Sequence, residues 1–388
     1  MRIGTFVLLL AAWTVGARAG DDAATFAKGL PDRPDHFPIA VWLQDVANAE
    51  KYRAIGVNVY VGLWRGPTVE QLDALDAAGI RVIAGQSPRS LAFRDRPTIV
   101  GWMHDDEPDN AQALPNGKGY GPPVTPETIL ERYRAMKAAD PDRPVLLNLG
   151  QGVAWDGWYG RGTRTNHPED YPEYLKGCDI ASFDIYPACS TDAAVAGKLW
   201  YVPQGVDRLR EWTGGRKPVW CCIETTRISN EDRKATPQEI RSEVWMALIR
   251  GAKGLIYFCH QFKPTFIEAG LLADDAVARE VAATNARIHE LAPVLNSPDV
   301  PDGATVSSSD ESIPIAWVVK RLGDETYLFA ASLREGETTA TFQLPGQADA
   351  KLAVEVLDES RTLEAPAGAW SDRFTAYQVH LYRIRPRD

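Results

Sequence analysis

Short apolar runs alternate with amphipathic helical patterns along residues 37–297, and this alternation is the strongest structural signal in the chain. Most runs are continuous, as expected for strands of a parallel sheet that helices cover on one face and packed side chains fill on the other. They predict eight strands, at residues 37–42, 57–63, 81–84, 99–104, 145–148, 180–186, 219–223 and 254–258.

Helix signals separate the predicted strands. Thr68 precedes a helical pattern that ends at Gly79, and Thr125 followed by Pro126 opens another. Strand then helix, eight times over, predicts an α/β fold of the (β/α)8 TIM-barrel type, for which roughly 250 residues are typical. A doubly wound open sheet is the alternative, but it requires a glycine-rich turn after its first strand, where this chain reads WLQDVAN.

The pattern changes after residue 297. Residues 298–303 contain two prolines and a glycine, which predicts a linker between the barrel at 37–297 and a second domain at 304–388. This last part carries strand-like runs at 314–320, 326–333, 338–343, 352–357 and 377–384. They predict a small antiparallel β-sandwich. Packing against the barrel is its simplest role, and sugar binding is the alternative.

The first residues have the features of a secretory signal. Residues 1–19 combine Arg2, an apolar stretch and small residues near Ala19, and a polar leader follows at 20–36. We therefore expect a secreted or periplasmic protein. No later apolar run approaches the ~20 residues of a membrane helix, so we expect no membrane contact after signal cleavage.

Charge and cysteine content narrow the range of partners. A net charge of −10 without a Lys/Arg cluster argues against nucleic acid and anionic membranes as partners. Five cysteines leave at least one unpaired, and no CxxC or HxH spacing indicates a metal site. We expect no cofactor and no metal, and the sequence does not indicate an oligomeric state.

Two glutamates are the strongest candidates for chemistry. The active site of a barrel lies at the carboxyl ends of its strands, where Glu107 closes the run GWMHDDE and Glu224 closes VWCCIE. Two facing carboxyl groups can cleave a glycosidic bond when one protonates the departing oxygen and the other attacks the sugar or activates water. Strands four and seven of eight lie nearly opposite each other. The substrate-binding candidates at the same rim are Asp45, Trp64, His104, Asp106, Asn148, Trp155, Trp158, Asp184, Tyr186, Arg227 and His260.

These residues carry a resemblance to a known family. The chain resembles the large clan of retaining (β/α)8-barrel glycoside hydrolases, whose acid/base glutamate follows strand four in an Asn-Glu-Pro or Asp-Glu-Pro motif. The resemblance implies that Glu107, in Asp106-Glu107-Pro108, is the acid/base, that Glu224 is the nucleophile, and that Tyr186 hydrogen-bonds the nucleophile. Many clan members have asparagine where this chain has Asp106, and an anion there cannot donate a hydrogen bond to the sugar.

The resulting hypothesis is an exported retaining glycoside hydrolase that acts on a poly- or oligosaccharide. Trp155 and Trp158 suit a carbohydrate cleft because aromatic faces stack on sugar rings. One alternative is a carbohydrate-binding barrel without catalysis. Another is a metal-dependent hydrolase that uses His104, Asp106 and His260. A structural reading of Glu224, as a carboxylate paired with Arg227, also stays open.

Overall fold

A computed structural model describes residues 26–115, 117–158, 164–347 and 351–386. The predicted secretory signal at residues 1–19 lies outside the described residues. No helix of the described residues is long and apolar enough to span a membrane.

Eight parallel strands close into a barrel in which each strand pairs with the next one along the chain and β8 pairs with β1. The strands are β1 Ile39–Trp42, β2 Val59–Val61, β3 Arg81–Gly85, β4 Ile99–Met103, β5 Val145–Leu149, β6 Ile180–Phe183, β7 Val219–Glu224 and β8 Gly254–Phe258. Every predicted strand overlaps an observed one. The predicted barrel is confirmed.

One α-helix follows each strand. The helices are α1 Ala49–Ala54, α2 Val69–Ala78, α3 Pro88–Leu91, α4 Pro126–Ala139, α5 Tyr171–Tyr174, α6 Tyr201–Trp212, α7 Pro237–Ile249 and α8 Asp275–Asn296. Thr68 and Thr236 each form a capping box at the start of a helix, because the threonine oxygen accepts from a backbone N–H that the helix itself leaves unpaired.

The barrel interior is apolar at its base and polar near its mouth. The side chains of Ala40, Val61 and Ile256, among others, pack together inside the barrel. One level higher, Ser182 and Asn148 are buried and hydrogen-bonded to each other. This change of polarity places the candidate chemistry at the carboxyl ends of the strands.

The C-terminal part consists of two antiparallel sheets. Its strands are β9 Thr305–Ser308, β10 Ile315–Leu322, β11 Glu325–Ser332, β12 Thr338–Gln343, β13 Lys351–Val356, β14 Arg361–Pro366, β15 Ala369–Phe374 and β16 Val379–Pro386. The sheets have the orders β10-β11-β16-β13-β14 and β15-β12-β9, with one apolar core between them. The predicted sandwich is confirmed.

The sandwich packs on the barrel through α7. The rings of Trp245 and Phe329 lie 5.5 Å apart, and Ser242 donates a 2.7 Å hydrogen bond to the Tyr377 carbonyl. All five cysteines are buried and free, so no disulfide contributes to either part.

Candidate active site

Glu107 stands at the mouth of the barrel just after β4. Its backbone has a positive φ of 42°, which is uncommon for a residue with a side chain and often accompanies function. Its backbone N–H donates to the Asn148 carbonyl at 3.2 Å, and its Oε2 accepts from Asn110 Nδ2 at 3.0 Å. Gly150 leaves room for the carboxylate, since a Cβ atom there would lie 2.9 Å from Glu107 Oε1.

Asp184, just after β6, is the carboxyl group that meets Glu107. The two side chains lie within hydrogen-bonding reach of each other, and Tyr186 Oη donates to Asp184 Oδ2 at 3.2 Å. Burial, followed by the charges of Glu107 and Asp106, raises the pKa of Asp184 well above its ordinary value. Two carboxyl groups this close do not both ionise readily, so the pair retains a proton on the buried Asp184.

A hydrogen-bonded chain orients the remaining groups at the mouth. Ser182 Oγ donates to Asn148 Oδ1 at 2.9 Å, and Asn148 Nδ2 donates to Asp106 Oδ1 at 3.0 Å. Asn148 therefore presents its amide N–H to Asp106, and its carbonyl oxygen is already occupied. Asp106 accepts this hydrogen bond at the position where many members of the clan that the chain resembles have asparagine.

Asp109 is a further acid of this cluster that the sequence did not single out. It is buried, and it accepts from the Gly150 N–H at 2.9 Å and from Tyr171 Oη at 3.1 Å. Burial and the nearby charge of Glu107 raise the pKa of Asp109 to about 7. The sequence shows four acids in a row of five residues but not which of them turns inward.

A cavity of about 380 Å³ opens above the carboxyl pair. Trp155 and Trp158 form part of its wall. Its lining also includes side chains that can hydrogen-bond to hydroxyl groups, namely Gln151, Ser190, Thr191, Asp192 and Ser229. A wall that combines aromatic faces with polar groups is suited to a polyhydroxylated ligand.

The structure does not bring Glu224 to this cavity, which corrects the predicted pairing with Glu107. The Glu224 side chain is fully buried, and its two oxygens accept from the backbone N–H groups of Ala188 and Cys189 at 2.5 and 2.7 Å. These amides belong to the loop after β6. The alternative partner Arg227 forms no ion pair with Glu224 among the described residues.

Glu224 instead meets a second fully buried carboxyl group, Glu243 of α7. Burial and the charge of Glu224 raise the pKa of Glu243 well above its ordinary value. No N–H or O–H of the described residues donates to either Glu243 oxygen, so this carboxyl is satisfied when it is protonated and donates to Glu224. Burial also raises the pKa of Glu224, whereas the hydrogen bonds from the backbone N–H groups lower it.

The remaining predicted residues divide between the mouth and the scaffold. His104 Nε2 lies 2.8 Å from the Gly177 carbonyl on the outer side of β4, so His104 does not reach the cavity. Asp45 accepts from the Ala47 N–H at 2.9 Å as a helix cap. Burial lowers the pKa of His104 and of His260 alike.

The other side of the mouth is aromatic. Trp64 is 46% exposed, and its ring lies 5.9 Å from that of His260. His260 Nε2 lies 3.1 Å from the Leu43 carbonyl, which ties the imidazole to the end of β1. The Arg227 carbonyl accepts from Phe262 N at 2.9 Å, so the backbone of Arg227 supports this side.

Among the described residues, no group of three or more His, Cys, Asp and Glu side chains is arranged to hold a metal ion. His104 and His260 point to separate backbone carbonyls, at Gly177 and Leu43. Within the part of the chain that the structure describes, the ligands named for the metal-dependent alternative therefore do not form one site.

Comparison with solved structures identifies proteins of similar architecture. The α-amylase from Geobacillus thermoleovorans, complexed with acarbose, has a TM-score of 0.55 and 10% identity, over 92% of this chain and 99% of its own. A putative α-galactosidase from Bacteroides fragilis has a TM-score of 0.54 and 11% identity, over 91% of this chain and 80% of its own. AmyP in complex with maltose has a TM-score of 0.53 and 10% identity, over 90% of this chain and 96% of its own.

This likeness shows the fold. No protein-family model matches the sequence, and no curated protein matches it. At about one identical residue in ten, the similarity extends to the barrel with its appended β domain but assigns no catalytic residue.

Proposed function

We propose that the protein is an exported glycoside hydrolase that cleaves a poly- or oligosaccharide by a retaining mechanism, with Glu107 and Asp184 as the two carboxyl groups. The observation that carries the proposal is the contact between these two groups at the floor of a cavity walled by Trp155 and Trp158. Asp184 replaces Glu224 as the second carboxyl group of the pair, and the roles change: Glu107, which the sequence predicted as the acid/base, is the nucleophile in this proposal.

The two carboxyl groups differ in the way that the reaction requires. The raised pKa of Asp184 favours its protonated form, which suits a general acid that gives its proton to the departing glycosidic oxygen. Glu107 accepts a hydrogen bond from Asn110 and is the nucleophile in this proposal. The contact leaves no room for the water that inverting enzymes hold between carboxyl groups ~6.5–9.5 Å apart, and the proposal is therefore the retaining mechanism, for which ~5–5.5 Å is typical.

Two further features support a carbohydrate substrate and export. The structural neighbours include an α-amylase complexed with acarbose and AmyP complexed with maltose. Both ligands are carbohydrates. The N-terminal sequence supports secretion to the periplasm or exterior, because residues 1–19 have the order of charge, apolar stretch and small residues that a secretory signal requires.

The test is hydrolysis of a panel of glycans and aryl glycosides by the wild-type protein and by the variants Asp184→Asn and Glu107→Gln. We expect new reducing ends with the wild type, and a loss of turnover by about 10³-fold or more in each variant, because each removes one half of a coupled pair. Circular dichroism checks that the variants are folded.

The pH profile provides a second readout. Turnover of the wild type should fall as the pH rises through the raised pKa of Asp184, since the general acid then loses its proton. Near-normal turnover in Asp184→Asn would refute the assignment. Tight binding of a glycan without any cleavage by the wild type would identify the carbohydrate-binding alternative instead.

A further inference from the structure

The mouth of the barrel has a second wall that the proposed chemistry does not use. Phe258, His260, Phe262 and Phe266, together with Trp64, form a cluster of rings that we call the aromatic platform. Phe266 is 58% exposed, and Phe262 and Trp64 are each 46% exposed. Exposed apolar side chains gathered in one patch indicate a binding surface more often than single ones do.

The platform is built on an ordered hairpin. Gln261 and Ile267 exchange two backbone hydrogen bonds of 2.9 Å, so the loop after β8 folds back on itself with Phe262 and Phe266 between them. The rings of Phe262 and Phe266 lie 5.8 Å apart, and each lies about 6 Å from the ring of His260. The exposed rings are thus held in place before any ligand arrives.

A continuous row of rings leads from the platform to the carboxyl pair. The ring of Phe262 lies 6.1 Å from that of Phe258, which lies 5.1 Å from that of Tyr186. Tyr186 in turn donates to Asp184. The platform is therefore joined to the carboxyl pair by the adjoining rings of Phe258 and Tyr186.

The platform offers ring faces but few hydrogen-bonding groups. Phenylalanine has none, Trp64 Nε1 already donates to Glu268 at 2.9 Å, and His260 Nε2 is engaged at the Leu43 carbonyl. The wall around Trp155 and Trp158, in contrast, carries the hydroxyl, amide and carboxylate groups that sugar hydroxyls require. The two walls of the mouth differ in the chemistry that they can bind.

We infer that the aromatic platform is the subsite for an apolar group, aromatic or alkyl, that the substrate carries on the leaving side of the scissile bond. This inference rests on the proposed function, because it assigns the Trp155 wall to the sugar and the platform to the aglycone. It narrows the proposed substrate class to oligosaccharides that carry an apolar alcohol or phenol on the leaving side.

The test compares two glycosides of one sugar, with a 4-methylumbelliferyl or a methyl aglycone, in the wild type and in the double variant Phe262→Ala/Phe266→Ala. We expect the ratio of kcat/KM for the aryl glycoside to that for the methyl glycoside to fall ~10–100-fold in the double variant. Trp317→Ala is the matched control, since Trp317 is 39% exposed on the sandwich and its loss should leave the ratio unchanged.

Direct binding separates this inference from the proposed function. If no glycoside is cleaved, calorimetric binding of 4-methylumbelliferone to the wild type but not to the double variant would still support the platform. An unchanged ratio, or an equal loss on an oligosaccharide of plain sugars, would overturn it. A wild-type dimer that the double variant converts to a monomer in sedimentation would also overturn it, because the platform would then bind a second copy.

Discussion

Replacement of Glu243 by glutamine should make the free energy of unfolding less sensitive to rising pH. In the folded protein the buried Glu243 holds a proton that it donates to Glu224, whereas in the unfolded chain both glutamates ionise near their ordinary pKa of about 4.3. A carboxyl group with a raised folded pKa contributes fully at low pH, and that contribution is lost as the pH rises above the unfolded pKa. Glutamine supplies a permanent N–H donor to Glu224 and has no proton to lose.

The expected size follows from one proton. Each pH unit over which the folded state retains a proton that the unfolded state releases lowers the free energy of unfolding by about 1.4 kcal/mol. Over the pH range in which Glu243 stays protonated in the folded protein, the wild type should therefore lose stability at this rate relative to Glu243→Gln. Other acids with raised pKa, such as Asp109, affect both proteins equally and cancel in the difference.

Urea unfolding at several pH values measures this difference, with Glu224→Gln as the companion variant. Glu224→Gln removes the acceptor of two backbone N–H groups and should be destabilised by about 1.5–3 kcal/mol at every pH. Parallel pH dependence in the wild type and in Glu243→Gln would refute the protonation of Glu243. An unchanged stability of Glu224→Gln would refute its structural role.

Two further predictions concern the placement of individual residues. Gly150→Ala should displace the Glu107 carboxylate, 2.9 Å from the new Cβ, and lower kcat by about 10–100-fold at nearly normal stability; equal kcat would contradict the close approach. His104→Ala should reduce the free energy of unfolding by about 1–3 kcal/mol, because it removes a buried ring bonded to Gly177, and should leave kcat of the folded fraction intact. A selective loss of kcat would return His104 to the active site.

The barrel could be predicted because its strands are continuous apolar runs of the right length and order. In the sandwich the five more apolar strands were predicted, whereas Thr305–Ser308, Arg361–Pro366 and Ala369–Phe374 were missed. The burial of Thr305–Ser308 alternates between exposed and half-buried, so its sequence has no apolar run to detect. Pairing with β12 supplies the stability that its own composition lacks.

The site was predicted in part. Glu107 and Asp184 follow strand ends, and the sequence placed both at the rim, but only the fold shows that they touch. Glu224 follows a strand end in the same way, yet the amides of Ala188 and Cys189 occupy its carboxylate, and no local pattern announces a contact across 35 residues. Glu243 was missed, although an acid between buried residues of α7 is a signal that a closer reading of the helix could use.

The most direct test of the carboxyl assignment is to trap the glycosyl-enzyme intermediate. The protein is denatured in acid during turnover of an activated glycoside, digested with trypsin, and analysed by mass spectrometry. Tryptic digestion yields peptide 95–118, which contains Glu107, and peptide 217–227, which contains Glu224. We predict the added sugar mass on Glu107 within peptide 95–118. The same mass on Glu224 within peptide 217–227 would contradict the pairing of Glu107 with Asp184.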